Sequence, residues 1–132
     1  MKLFLLFIII SLARPFSFRR GMVRQVASNR KEKNSEGKSY IIDIDGTICF
    51  TKKSDYYNSI PNYEKIEKFN KLYDEGNEVN YWTARGAVSG KNWDEFTVKQ
   101  LNNWNVKYTT INMDKPHYDI WIDDKAININ DI

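Results

Sequence analysis

Four short segments of this chain carry side chains suited to chemistry on an anion: Asp43 with Asp45, Thr83 with Arg85, Lys115, and Asp123 with Asp124. Asp43 and Asp45 interrupt the apolar run Ile41-Ile42-Asp43-Ile44, where a charge is costly unless something partners it. Carboxylates gathered in one place repel one another, and a cation between them relieves the repulsion. The chain has one histidine, His117, and one cysteine, Cys49, so an imidazole or thiolate zinc site and an internal disulfide framework are excluded. A cation here must be held by oxygen, which points to a hard ion such as magnesium. Lys115 offers a positive charge and Thr83 a hydroxyl, both suited to phosphoryl oxygens. A carboxylate can then act as nucleophile, dividing hydrolysis into phosphoryl transfer and release. A second carboxylate two residues on can protonate the leaving group and later activate water.

These groups need elements to carry them to one place. Tyr40 to Ile44 is a short apolar run suited to a buried strand. Gly46 to Pro61 is polar and turn-rich. Asn62 is placed to cap a helix in which Tyr63, Ile66, Phe69 and Leu72 recur every three or four residues, with Gly76 as its stop. Glu78 to Trp82 predicts a second strand, Trp93 to Trp104 a second helix, Val106 to Ile111 a third strand and Asp119 to Ile122 a fourth. Such alternation means an α/β fold with a mostly parallel sheet. Each chemical group then falls just after a strand, and the carboxyl ends of parallel strands form the ligand crevice.

The segment IIDIDGTIC resembles the first motif of the haloacid dehalogenase (HAD) phosphohydrolase superfamily, Asp-x-Asp-Gly-Thr after a strand. YWTARG resembles its second motif, DKPHYD supplies the lysine of the third, and WIDDKAIN resembles the acidic fourth. The order and spacing agree over residues 39–128, and the similarity is closest to small members with an ITARG-like second motif. The resemblance implies a three-layer Rossmann-like sheet with flanking helices. No insertion between Gly46 and Pro61, or between Thr83 and Lys115, is long enough for a cap domain. It implies Asp43 as nucleophile and Asp45 as general acid/base. Magnesium would be held by the Asp43 carboxylate, the Asp45 backbone carbonyl and Asp123, with Asp124 as a further ligand or a neighbouring carboxylate. Thr83 and Lys115 would orient the phosphoryl group, Gly46 and Thr47 would turn beside it, and Arg85 with Gly86 would contact substrate. Relatives of this kind are often encoded among surface-polysaccharide genes, which implies a small phosphorylated metabolite such as a sugar phosphate.

Charge and composition frame the alternatives. The net charge of +3 divides unevenly: residues 1–38 hold nine Lys and Arg against two Glu, and residues 39–132 hold eleven against fifteen acids. The folded part is therefore acidic, and no nucleic-acid partner is expected. Residues 1–38 are read as an apolar and basic segment with a linker, and 39–132 as the phosphohydrolase domain. The apolar run Leu3 to Leu12 is too short to span a bilayer. It fits a secretory signal, a transit peptide, an anchor, or upstream sequence ahead of a start at Met22. Membrane contact is expected only through residues 1–20, and the folded domain is expected in the cytoplasm. A response-regulator receiver is disfavoured, because it needs an acceptor Asp after a middle strand. The candidates, Asp55 and Asp74, fall in a loop and a helix. A phosphate-binding or scaffold module without turnover is the other reading of the same residues.

Overall fold

The computed structural model describes residues 23–30 and 34–132. The targeting, anchor and alternative-start readings of residues 1–22 lie outside those residues. Among the described residues no helix is long and apolar enough to cross a membrane.

Both expected helices and three of the four expected strands form, most with shifted ends, and a leading strand and a small hairpin add to them. Strand β1 spans Arg24–Ser28, β2 Ser39–Ile42, and a small hairpin follows from β3 (Cys49–Phe50) and β4 (Ile60–Pro61). Helix α1 then covers Tyr63–Asp74, β5 Glu78–Trp82, α2 Asp94–Asn103, and β6 Thr110–Met113. The Asn62 side chain accepts the Lys65 N–H at 3.2 Å, a cap that contributes about 1 kcal/mol. Ile66 and Phe69 turn the apolar stripe of α1 into the core. Helix α2 ends where Asn105 turns left-handed at φ +57°, and the Val106 N–H closes on the Leu101 carbonyl at 3.0 Å. That cap consumes the start of the expected third strand, which therefore begins four residues late. Thr109 bridges the gap: its N–H reaches the Val79 carbonyl at 2.7 Å and its hydroxyl accepts the Val79 N–H at 2.9 Å.

The main sheet has the order β1-β6-β5-β2. β2, β5 and β6 are parallel, and β1 runs antiparallel to β6 with an irregularity between Gln25 and Ala27. Strand β1 corrects the domain boundary, since part of the basic segment read as lying outside the fold completes the sheet. β6 would otherwise present an unpaired edge, and a segment as short as RQVAS, half-buried only at Val26 and Ala27, is enough to cover it.

The strands advance β2, β5, β6 in one direction. Right-handed crossovers in one direction place both connecting helices over the same face. The burial pattern agrees. Ile42, Val79, Tyr81 and Ile111 share one buried cluster with Ile66 and Phe69 of α1 and Leu101 of α2, capped by Trp104. The opposite register carries Ile41, Asn80 and Asn112, which are exposed or half-buried. Polar side chains there satisfy one another: Thr110 Oγ1 donates to Asn80 Oδ1 at 2.6 Å, and Asn112 Nδ2 to Thr110 Oγ1 at 2.8 Å. The described residues thus form helices over one face of a mixed, mostly parallel α/β sheet.

The expected fourth strand, Asp119 to Ile122, does not form. Its residues pair with no strand, and Ile120 and Ile122 are 79% and 93% exposed. β2 therefore remains an edge strand, with Ile41 72% exposed. Isoleucines two apart around Trp121 match a strand's period. Period alone supplies no partner, and Trp121 instead meets Trp82 edge-on at 6.0 Å.

One core group is left unsatisfied. Tyr81 is fully buried and its hydroxyl has no hydrogen-bond partner among the described residues. Burial pushes the Tyr81 phenol well above its ordinary value, so it stays protonated. A buried, unpaired hydroxyl costs about 1–3 kcal/mol. Tyr81→Phe is therefore expected to stabilise the fold by about 1 kcal/mol, read as a higher urea midpoint at unchanged denaturant slope. A lower midpoint would mean the hydroxyl does have a partner.

Candidate active site

The turns after β2, β5 and β6 deliver the site. After β2 the chain makes a tight turn in which the Thr47 and Ile48 N–H groups return to the Ile44 carbonyl, and Gly46 takes φ +83°. After β6, Asp114 turns left-handed at φ +63° and the Lys115 N–H reaches the Thr83 carbonyl at 3.1 Å. These turns bring Asp43, Asp45, Thr83, Arg85, Gly86 and Lys115 to the wall of one cleft of about 600 Å³. His117, the single histidine of the chain, also lines it. Gly46 and Thr47 shape the turn beside Asp45 and do not line the cleft.

Asp123 and Asp124 are not brought there. The strand meant to carry them is missing, and both residues are exposed. The Asp123 carboxyl is held below its ordinary value first by the Lys125 backbone N–H, which donates to it at 2.8 Å. Among the described residues no group of three or more His, Cys, Asp or Glu is placed to hold a metal ion. Two of the four expected magnesium donors, Asp43 and Asp45, are at the cleft. One carboxylate and one backbone carbonyl, with phosphate oxygens and water, is a donor set magnesium accepts.

Lys115 is 8% exposed. Its Nζ stands 3.4 Å from Asp43 Oδ1 and 5.1 Å from the ring centre of Tyr118. Burial pushes the Asp43 carboxyl up, outweighing Lys115 and the Ile44 backbone N–H, which pull it down. Asp45 is pushed the other way. Burial raises it too, but the hydrogen bonds and charge of Arg85, with the Thr51 hydroxyl and the Cys49 thiol, bring it below the ordinary carboxylate value. Two carboxyl groups two residues apart are thus driven in opposite directions.

The sequence missed what Arg85 does. Its side chain is fully buried, and it clamps Asp45 through two parallel bonds, Nε to Oδ2 and Nη2 to Oδ1, both 2.9 Å. The remaining amino group donates to Gln100 Oε1 at 2.8 Å and Thr97 Oγ1 at 3.3 Å. The guanidinium lies 4.6 Å from the Tyr56 ring centre. Fully buried and with four of its five N–H donors engaged, Arg85 is a positioning residue for Asp45, and its expected role as a substrate contact is corrected accordingly. Gln100 Nε2 also donates to the Tyr56 carbonyl at 2.8 Å, and Thr51 joins Asp45 at 2.6 Å to Ser59 at 2.7 Å. The loop between β3 and β4 is therefore tied to the same carboxylate. A signal for this was present: Gln100 is a polar residue on the inward stripe of α2. Buried Cys49, its thiol pushed up to about 11 by desolvation, donates weakly to Asp45 and performs no nucleophilic role.

No protein-family model and no curated protein matches the chain. Among solved structures it is similar to the crystal structure of a structural-genomics target from Vibrio cholerae. That likeness has 28% identity and a TM-score of 0.65, covering 71% of this chain and 85% of the other. It supports the α/β fold and names no activity.

Proposed function

We propose that the chain is a phosphomonoester hydrolase of the haloacid dehalogenase type, forming a transient phosphate ester on Asp43. One observation carries this reading: a carboxylate, a second carboxylate clamped beside it, a buried hydroxyl and a buried ammonium reach one cleft from three parallel strands. Asp43 attacks the phosphorus atom, the ester oxygen leaves, and water later cleaves the aspartyl phosphate to inorganic phosphate. Lys115 balances negative charge on the phosphoryl oxygens. The Thr83 hydroxyl accepts the Arg85 N–H at 3.2 Å and keeps its own proton to donate to them. Arg85 keeps Asp45 ionised at rest, in the form able to take a proton from water. An arriving phosphate dianion raises a neighbouring carboxyl, which favours the protonated form that the leaving oxygen needs.

Magnesium belongs to the proposal as the ion that neutralises phosphate and carboxylate charge, held by Asp43 and the Asp45 carbonyl. The substrate proposed is a small phosphorylated metabolite, a sugar phosphate among them, acted on in the cytoplasm. The fold side of the reading is a capless Rossmann-like core, whose third layer would have to lie over the face bearing Asn80 and Asn112. A second reading, a phosphate-binding module without turnover, is favoured by the position of Asp123 and Asp124 away from the cleft.

Phosphate release from a panel of phosphorylated metabolites, with and without magnesium, separates the two. Magnesium-dependent release is expected. A folded chain that binds phosphate and releases none from any substrate favours the binding module.

A further inference from the structure

The cleft holds more positive charge than its own carboxylates absorb. Its wall carries Lys53, Arg85, Lys91 and Lys115 against Asp43 and Asp45. Arg85 is engaged by Asp45, and Lys115 stands at Asp43. Lys53 and Lys91 form no ion pair among the described residues.

The backbone holds both lysines in place at some cost. Lys53 has φ +53°, a left-handed conformation that costs a residue with a Cβ about 1–2 kcal/mol. Its turn is closed by the Asp55 N–H on the Lys52 carbonyl at 3.1 Å. Lys91 ends a loop drawn in at Gly86, where φ is +82° and a Cβ would stand 2.3 Å from the Lys91 carbonyl oxygen. Only glycine allows that approach, and the Gly90 N–H fixes the loop on the Gly86 carbonyl at 2.8 Å. Lys91 Nζ lies 4.3 Å from the Trp93 ring centre and 3.4 Å from the Tyr57 hydroxyl. Aromatic faces hold an ammonium in position without neutralising it. The result is two uncompensated cations on the cleft wall, from different segments than Asp43, Thr83 and Lys115.

We propose that Lys53 and Lys91 form a second anion subsite, so that the substrate is a phosphomonoester bearing another anionic group on its organic portion. This rests on the phosphomonoester reading above. Calorimetric titration tests it separately from turnover, because non-hydrolysable phosphonates serve as probes. The full chain is titrated with propylphosphonate, 3-phosphonopropionate and propane-1,3-bisphosphonate. At least one doubly anionic probe is expected to bind about tenfold more tightly than propylphosphonate, by a margin that shrinks with added salt. The two doubly anionic probes tell a carboxylate subsite from a phosphate one. Lys53→Gln with Lys91→Gln should reduce the preference below about twofold. Lys53→Gly is the companion variant, since it removes the charge, relieves the left-handed strain, and should lower the preference while keeping or raising the urea midpoint.

Equal affinity for all three probes overturns the subsite. So does a preference that survives in the double variant, or a loss that falls equally on propylphosphonate, which would assign the lysines to the phosphoryl group itself. A chain that shows the preference and releases no phosphate retains the subsite and loses only the hydrolase reading.

Discussion

Asp43→Asn is expected to abolish phosphate release, by at least about a thousandfold, while leaving the urea midpoint unchanged or higher. The loss follows from the proposed chemistry, since an amide oxygen is too poor a nucleophile to form the phosphate ester. The retained stability follows from electrostatics. Burial raises the Asp43 carboxyl above 3.8, so folding favours its protonated form relative to the unfolded chain. Stability contributed by such a group falls as pH rises through the window between 3.8 and the raised folded value. At neutral pH the ionised side chain therefore works against folding, and a neutral amide removes that opposition. Lys115 loses a neighbour at 3.4 Å in exchange, which is why the gain is small. Phosphate release and urea unfolding on the same preparation check both halves. Undiminished release would remove Asp43 from the nucleophile's role, and a large fall in midpoint would make it a structural residue.

Arg85→Met should do the reverse, lowering stability by about 3 kcal/mol at neutral pH and turnover with it. Removing one partner of a buried pair leaves the other charged and under-solvated, and here Gln100 and Thr97 lose a donor too. The pH dependence gives a specific signature. Asp45 is held below 3.8, so the pair's stabilisation is fully present above that value and is lost as pH falls through the lower folded one. Urea unfolding at neutral pH and near pH 3 should show the deficit of the variant narrowing in acid. Combining Arg85→Met with Asp45→Asn should cost less than the two single changes added together. A deficit independent of pH would assign the loss to packing against Tyr56 rather than to the ion pair.

What the sequence made legible, and what it did not, divides along physical lines. Asp43, Thr83 and Lys115 could be placed because each follows a strand whose apolar run is local. The ends of parallel strands converge whatever the details of packing. Helix α1 was readable from its period and from Asn62. Arg85 was misjudged because its partners are long-range: Asp45 is forty residues away, and Thr97 and Gln100 lie on another element. Strand β1 was hidden in a basic segment, since an edge strand needs only a few half-buried residues. Asp119 to Ile122 failed in the opposite sense. Its alternation is that of a strand, but pairing depends on what lies alongside, and in this structure Trp82 holds Trp121 instead.

The sheet ends in β1 on one flank and β2 on the other. Antiparallel β1 carries a register irregularity between Gln25 and Ala27, a kink that blunts an edge as a template for another chain. β2 pairs regularly with β5 and presents Ile41, 72% exposed. Main-chain pairing between molecules is therefore expected first at β2. Two copies meeting there would bury the smoother edge of each and turn only the kinked ones outward.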